Sequence, residues 1–298
     1  MRLDPNKVKL AIAPIGWTND DLPELGAENT FEQCVSEMAL AGFKGTELGN
    51  KYPADPRALK KALKLRGLRL ANSWFSSFLL TEPYEKVEKD FVKKCRFLRA
   101  AGARVVGASE QSYSVQGQPL PVFGAKHIMD DAEWDRLCDG LNRLGAKAND
   151  LGMTLVYHHH MGTVVQTAEE TDRLLEGTSA DALGLLFDSG HFAYSGDDPA
   201  AVLAKHAGRT RHVHLKDIRG AVVARVKAEG LSFLEGVRLG TFTVPGDGDL
   251  DFAPLFELLA ESGYEGWMIV EAEQDPAIAD PLEYAIKARK YIKKTAGI

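Results

Sequence analysis

One local pattern of apolar and polar residues recurs along the chain: a helix-like stretch ends, a glycine follows, and an apolar run begins. It occurs around Gly42, Gly67, Gly102, Gly152 and Gly263. A glycine just after the last helical residue takes up the left-handed conformation that ends a helix. A strand directly after it is typical of the αβ junction in a βα unit. The repetition therefore predicts a chain of βα units.

Eight apolar runs predict the strands of these units. They lie near residues 8–14, 43–48, 68–75, 103–109, 153–159, 183–188, 210–216 and 266–272. Helices are predicted between them, and residues 82–100 and 131–151 carry apolar side chains at the spacing of an amphipathic helix. Strict alternation implies a parallel sheet. We predict an α/β fold in which residues 1–298 form a single (β/α)₈ TIM barrel, with a doubly wound open sheet as the alternative.

Two connections are longer than the others. Residues 110–130 follow the fourth predicted strand, and residues 217–250 follow the seventh. Both come after a strand, so both lie on the face where barrel enzymes carry their active sites. Long segments in this position often act as lids.

Composition narrows the classes of function. The chain has 298 residues with a formal net charge of -6, which gives no electrostatic footprint for nucleic acid or an anionic membrane. Its three cysteines, Cys34, Cys95 and Cys138, share no metal-ligand spacing and favour a reducing compartment. The N-terminus lacks an apolar signal, and no apolar run is long enough to span a bilayer. We predict a cytoplasmic protein and leave open whether it forms a homo-oligomer.

Six of the eight histidines fall at the predicted carboxyl ends of strands. They are His158, His159 and His160 on the fifth strand, His191 after the sixth, and His212 and His214 on the seventh. A barrel brings these ends together on one rim. Because side chains alternate along a strand, His158 and His160 should share a face while His159 points away and packs.

Acidic residues end two of the same strands. Asp188 follows the apolar run of the sixth strand, and Glu271 follows that of the eighth. A buried carboxylate needs a partner. Taken singly, each residue has a structural alternative to metal binding: Asp188 could cap the following loop, and Glu271 could form a buried ion pair with Lys216. Together with the imidazoles they predict a divalent-metal site, whose mixed oxygen and nitrogen ligands suit Mn²⁺, Co²⁺, Fe²⁺ or Zn²⁺.

Several stretches resemble the inosose dehydratases, also called myo-inosose-2 dehydratases. They are residues 12–21, 47–53, 74–77, 157–163 and 270–276, so the resemblance runs from the first predicted strand to the last. The stretch around Trp17 and the three consecutive histidines resemble that family specifically. The patterns around Asp188, His214 and Glu271 are similar to the wider xylose-isomerase-like TIM barrel superfamily of sugar isomerases, epimerases and dehydratases.

The resemblance implies one divalent metal, with Mn²⁺ or Co²⁺ favoured and Fe²⁺ or Zn²⁺ as alternatives. Its ligands by position would be Asp188, His214 and Glu271, with a fourth from the fifth strand. Many members of the superfamily carry a glutamate at that fourth place, where this chain has His158. His160 or water are the alternatives for that ligand.

The resemblance also implies a reaction: loss of water from 2-keto-myo-inositol (scyllo-inosose), giving a trihydroxycyclohexane-1,2-dione in inositol catabolism. Candidates for the catalytic acid and base, which the sequence does not rank, are His160, His191, Lys216 and Glu47. Glu47 ends the second predicted strand and suits a structural hydrogen-bond partner equally well. Candidates for substrate binding are Trp17 and Trp74 as apolar walls against the ring and Asn19 as a partner for hydroxyls. The sequence is equally consistent with packing at the rim for each of the three.

Three other functions are weighed against dehydration. A metal-dependent isomerase or epimerase of a ketose or related keto-polyol would use the same proton abstraction without expelling a hydroxyl. A non-catalytic polyol-binding barrel would not need so many titratable groups on one rim. A metal-dependent nuclease of the same fold is disfavoured by the acidic charge.

Overall fold

The computed structural model describes residues 3–298, which form a parallel barrel surrounded by helices. The strands are β1 (Val8–Ile12), β2 (Gly45–Glu47), β3 (Arg69–Asn72), β4 (Trp74–Ser77), β5 (Val105–Glu110), β6 (Thr154–His158), β7 (Gly184–Asp188), β8 (Thr210–Leu215), β9 (Asp217–Ile218), β10 (Phe242–Thr243) and β11 (Gly266–Val270). The helices are α1 (Phe31–Leu40), α2 (Pro56–Leu65), α3 (Tyr84–Ala101), α4 (Asp131–Asp150), α5 (Ala168–Glu176), α6 (Ser189–Ser195), α7 (Pro199–His206), α8 (Gly220–Glu229), α9 (Phe233–Arg238), α10 (Ala253–Glu261) and α11 (Pro281–Ala296).

The third barrel strand is interrupted at Ser73, and its two halves close the ring. The sheet order is β3-β2-β1-β11-β8-β7-β6-β5-β4, so the two halves of that strand stand at its two ends. Hydrogen bonds to the neighbouring strands continue on both sides of the break. The Leu48 amide donates to the Asn72 carbonyl at 3.1 Å, and the Gly107 amide donates to the Ser73 carbonyl at 3.1 Å. Counted this way the barrel has eight strands, all paired in parallel. The predicted barrel is confirmed, and the open-sheet alternative is wrong.

The outer helices form where apolar side chains repeat at helical spacing. In α3, Val87, Phe91, Cys95 and Leu98 are buried against the barrel, and the helix ends at Gly102, whose φ of 105° is left-handed. In α4 the side chain of Asp130 caps the first turn in a reciprocal capping box with Glu133. The amphipathic helices predicted at 82–100 and 131–151 are confirmed to within two residues at each end.

The segment 217–250 folds into a cap over the carboxyl face of the barrel. It contains α8, α9 and the antiparallel pair β9–β10, and it has its own apolar cluster around Val226, Phe233 and Phe242. Asp217 anchors it, since this carboxylate accepts hydrogen bonds from the amides of Ile218, Gly246, Gly248 and Leu250 at 2.9–3.1 Å. By contrast, residues 111–130 contain no helix or strand.

Within residues 3–298, no helix is both long and apolar enough to cross a bilayer.

Candidate active site

A cavity of about 590 Å³ opens among the carboxyl ends of the barrel strands. Its walls carry the ends of β1, β2, β4, β6, β8 and β11 and parts of the loops that follow β1 and β5. Of the residues singled out from the sequence, it is lined by Glu47, Trp74, His158, His160, His214 and Glu271. These residues share one cavity although up to 224 positions of sequence separate them.

Four side chains predicted as metal ligands converge beside this cavity. The Oδ2 atom of Asp188 lies 3.3 Å from Nε2 of His158 and 3.4 Å from Nδ1 of His214. Nδ1 of His214 also contacts Oε2 of Glu271. All four side chains are almost wholly buried. The structure therefore brings donor atoms of His158, Asp188 and His214 within 4.8 Å of one another, and Glu271 adjoins this group through its contact with His214.

The unpaired atoms of this cluster fit a bound cation. Nδ1 of His214 and Oε2 of Glu271 are buried and touch, yet neither makes a hydrogen bond of acceptable geometry. The buried carboxylates Glu47, Asp188, Glu271 and Glu273 also outnumber the single buried ammonium, that of Lys216. Two carboxylates and two imidazoles are ligands that divalent transition metals accept. Unsatisfied donor atoms and excess negative charge thus both favour a divalent ion at this point.

Glu47 lines the cavity and is also hydrogen-bonded to two histidines. Its Oε1 atom accepts from Nε2 of His214 at 3.0 Å, from Nε2 of His212 at 3.1 Å and from Nδ2 of Asn72 at 3.0 Å. Burial opposes its ionisation, but the charge of His214 and the hydrogen bonds from both histidines hold the pKa of Glu47 well below its usual range. A carboxylate bonded to Nε2 orients the imidazole and leaves Nδ1 free to coordinate.

Lys216 and His191 form a second buried layer. The ammonium of Lys216 lies 2.9 Å from Oε1 of Glu273, 3.5 Å from Oε1 of Glu271 and 3.0 Å from Nε2 of His191. Burial opposes its charge, but the surrounding carboxylates raise the pKa of Lys216 above its usual value. Neither Lys216 nor His191 lines the cavity. Their position suits them to holding Glu271 and Glu273 in place.

Glu273 is a site residue that the sequence reasoning did not single out. It is buried, lines the cavity, and leaves Oε2 without a hydrogen-bond partner. Burial raises its pKa to about 7, although the charge of Lys216 acts in the opposite direction. The signal was present in the sequence, since Glu273 follows Glu271 by two positions and side chains two apart share a face of an extended segment.

His160 presents a defined tautomer to the cavity. Its Nδ1 lies 2.9 Å from the carbonyl oxygen of Met161, which can only accept, so the proton is on Nδ1 and Nε2 carries the lone pair. Burial lowers the pKa of His160 to about 3, helped by the charges of His158 and Lys216. The ring of Trp74 meets the rings of His158 and His160 edge to face at 5.3 and 5.6 Å. His160 and Trp74 therefore form one wall of the cavity.

The structure places Trp17 and Asn19 outside that cavity. Trp17 is 1% exposed, its Nε1 donates to Glu37 at 2.6 Å, and its carbonyl accepts from Asn29. Asn19 is also buried, and its Oδ1 accepts from the backbone amides of Asp21 and Leu22, which shapes a turn. Both residues thus support the loop after β1 instead of lining its inner surface.

The cap contributes apolar surface to the site. Phe233 packs 5.0 Å from the ring of His160, and Phe242 lies 5.2 Å from His191 and 4.5 Å from the ammonium of Lys216. His159 points away from the cavity and stacks on Phe192 at 3.5 Å, as the alternation of side chains predicted. Aromatic rings on this side exclude water from the charged groups and so strengthen the electrostatic interactions among them.

The chain is similar to known proteins over most of its length. The family model described as the xylose isomerase-like TIM barrel matches residues 35–295. A relative from Clostridium perfringens named inosose dehydratase is 60% identical over 294 residues, which cover 98% of this chain and 99% of the relative.

Solved structures at much lower identity share the fold. A probable 3-DHS dehydratase from Bacillus anthracis superposes with a TM-score of 0.72 at 15% identity, covering 96% of this chain and 98% of that one. An L-ribulose 3-epimerase superposes with a TM-score of 0.71 at 18% identity, covering 97% of this chain and 95% of that one. The barrel is thus common to both kinds of enzyme, while the close similarity along the whole chain is to dehydratases. The chain belongs to the inosose dehydratase family of xylose isomerase-like TIM barrels.

Proposed function

We propose that this protein is a metal-dependent hydro-lyase that removes water from 2-keto-myo-inositol to give a trihydroxycyclohexane-1,2-dione, a step of inositol catabolism. The observation that carries the proposal is the convergence of His158, Asp188, His214 and Glu271 beside a cavity that also exposes His160. The family membership supports the choice of an inosose as substrate.

The metal ligands in this proposal are Nε2 of His158, Oδ2 of Asp188, Nδ1 of His214 and Oε2 of Glu271. We favour Mn²⁺ or Co²⁺ and keep Fe²⁺ or Zn²⁺ as alternatives, since the mixed oxygen and nitrogen set suits all four ions. When bound, a divalent ion acidifies the proton on the carbon next to the ketone and stabilises the negative charge that forms. Glu47, through its hydrogen bond to Nε2 of His214, holds that imidazole in the coordinating orientation.

His160 is the residue that moves the proton. Its Nε2 lone pair accepts the proton from the α-carbon, while Nδ1 stays bonded to the Met161 carbonyl. The imidazolium so formed then donates the same proton to the departing β-hydroxyl. The α-proton and the β-hydroxyl leave together as water, and tautomerisation of the resulting enol gives the diketone. A neutral imidazole must accept before it donates, so the hydrogen bond to Met161 fixes the order of the two transfers.

Lys216 and His191 act in this proposal as positioning residues. The Lys216 ammonium bridges Glu271 and Glu273, and His191 accepts from that ammonium on the side away from the cavity. Trp74 offers the ring a flat wall next to His158 and His160. The cap residues Phe233 and Phe242 exclude water from the reacting groups.

The chain organisation and location are part of the proposal. We propose that residues 1–298 form one barrel domain, with the cap over its carboxyl face as part of it. Cys34, Cys95 and Cys138 are all free thiols in the structure, which favours a reducing cytoplasmic location.

The direct test is to incubate metal-loaded protein with 2-keto-myo-inositol and to follow the absorbance of the diketone. Ketohexoses are offered in parallel, because an isomerase or epimerase would act on them through the same proton abstraction. Formation of diketone with Mn²⁺ or Co²⁺ and none after chelation is the expected result. Rapid conversion of ketohexoses with no change in 2-keto-myo-inositol would replace the dehydratase with the isomerase or epimerase.

A further inference from the structure

Lys94 differs from the other lysines that are not exposed in residues 3–298. Lys126 forms an ion pair with Glu170, and Lys216 forms one with Glu273. Lys94 lies within 4 Å of no carboxylate, and its one hydrogen bond is a long one, 3.4 Å, to the hydroxyl of Ser73. Partly buried charges normally find a partner in the protein. An ammonium left almost unpaired is therefore expected to find its partner in a ligand.

The break in the third barrel strand gives Lys94 access to the site. Lys94 belongs to α3, which packs outside β3 and β4. At Ser73, between these two strands, the ammonium of Lys94 reaches the barrel wall, and Lys94, Ser73 and Trp74 line the same cavity as His158 and His160. A residue of an outer helix thus takes part in the inner surface at this one position.

We propose that Lys94 is a substrate-binding residue that determines specificity, its ammonium donating hydrogen bonds to ring oxygens of an uncharged polyol. The inference rests on the proposed function, whose substrate carries several hydroxyls and no charge. Ser73 positions the ammonium, and Trp74, next in sequence, provides the flat surface beside it.

The charges of the cavity argue for an uncharged ligand. Its lining includes five carboxylates, those of Asp20, Asp21, Glu47, Glu271 and Glu273, and Lys94 is its one lysine or arginine. Phosphate sites use several basic groups or arginine forks. One ammonium among carboxylates suits hydroxyl oxygens, which accept from it while their own protons are donated to the carboxylates.

The test compares Lys94→Met with Lys93→Met, an exposed neighbour on the same helix. The KM and kcat for 2-keto-myo-inositol are measured with Mn²⁺-loaded protein, together with the affinity for Mn²⁺ and the melting temperature. Losing a hydrogen bond from a charged donor should raise the KM of Lys94→Met about 10- to 100-fold. Its Mn²⁺ affinity should stay unchanged, and its melting temperature should not fall, because an unpaired charge has been removed. Lys93→Met should behave as wild type.

An unchanged KM in Lys94→Met would overturn the inference, as would a fall in melting temperature large enough to explain the higher KM. Calorimetric binding of 2-keto-myo-inositol separates this inference from the proposed function. If the wild-type protein binds the ketone without turnover, dehydration is wrong, and Lys94→Met must still weaken binding. If it neither binds nor converts the ketone, both are wrong. Competition by inorganic phosphate that disappears in Lys94→Met would show an anionic ligand and also overturn the inference.

Discussion

The two halves of the barrel rim differ in whether the charged side chains at the cavity have charged partners. In the half formed by the ends of β6, β7, β8 and β11, here called the charged half, Asp188, His214, Lys216 and Glu273 all contact one another or a shared neighbour. In the half formed by the ends of β1, β4 and β5, here called the polar half, Lys94 lines the cavity without a charged partner. The difference teaches which ligand suits each half. Several imidazole and carboxylate donor atoms close together, two of them without a hydrogen-bond partner, suit a metal ion, whereas one ammonium without a charged partner suits an uncharged substrate.

The largest effect on metal binding and activity is expected when a charged side chain of the charged half is replaced. Asp188→Asn removes the negative charge that lies between His158 and His214 while keeping the size of the side chain. Losing a hydrogen-bond partner of a metal ligand already weakens metal binding about 10- to 100-fold, and losing the charge of a ligand itself should cost more. Mn²⁺ affinity should therefore fall by at least about 100-fold, and activity at limiting metal should be lost. Calorimetric titration with Mn²⁺ measures the affinity. Wild-type affinity in this variant, or full activity in rigorously metal-free wild type, would contradict the assignment.

Replacing His160 should slow the reaction and leave the affinity for the metal unchanged. His160→Asn removes the Nε2 lone pair, and loss of a general acid–base residue typically slows a reaction about 10²- to 10⁴-fold. Because His160 is assigned the first proton transfer, exchange of the α-proton with deuterated solvent should slow as well, while Mn²⁺ affinity is kept. The exchange is followed by NMR. Exchange at the wild-type rate without elimination would instead make His160 the acid alone and require a different base.

A variant of Glu47 tests whether this residue orients the metal ligand His214 or acts on the substrate. Glu47→Gln keeps an oxygen for some of the three hydrogen bonds that its carboxylate accepts, but it loses the charge that orients His214. Losing such a partner typically weakens metal binding about 10- to 100-fold, so saturating Mn²⁺ should restore most of the kcat. If saturating metal restores nothing, Glu47 acts on the substrate, as the sequence had allowed.

The smallest effect is expected from Trp17, whose side chain is directed away from both halves. Trp17→Phe removes the hydrogen bond to Glu37 and should lower the free energy of unfolding by about 1.5–3 kcal/mol, the usual loss for a bond to a charged acceptor. The KM for the ketone should not change. Trp74→Leu is the matched variant on the cavity wall, and it should raise KM. A higher KM in Trp17→Phe with unaltered stability would return Trp17 to the substrate site.

The fold and the charged half, apart from Glu273, could be predicted from the sequence because both follow from local rules. Apolar runs separated by amphipathic helices predict the barrel, and a histidine or carboxylate directly after a strand must lie on the rim. The same rule predicts that His158 and His160 share a face while His159 packs, and the structure places them so. Neither inference requires knowing how distant segments meet.

The roles of the other residues at or near the cavity depend on contacts between distant segments, which no local sequence pattern predicts. Lys94 lies on an outer helix and reaches the cavity only because the third strand breaks at Ser73, inside what reads as one continuous apolar run. Trp17 and Asn19 sit in a stretch that resembles the family closely, but side-chain direction in that loop is set by Glu37 and by a turn. Sequence similarity could not distinguish a residue that shapes the loop from one that faces the substrate.

The most direct test of the charged half is a crystal structure of the protein soaked in Mn²⁺, with anomalous scattering used to locate the ion. Two other groups of side chains in residues 3–298 could also hold an ion: Glu47 with His212 and His214, and His160 with His191 and Glu273. The account predicts a single strong peak between Nε2 of His158, Oδ2 of Asp188, Nδ1 of His214 and Oε2 of Glu271. A peak within either of the other two groups, or no peak at saturating Mn²⁺, would contradict it.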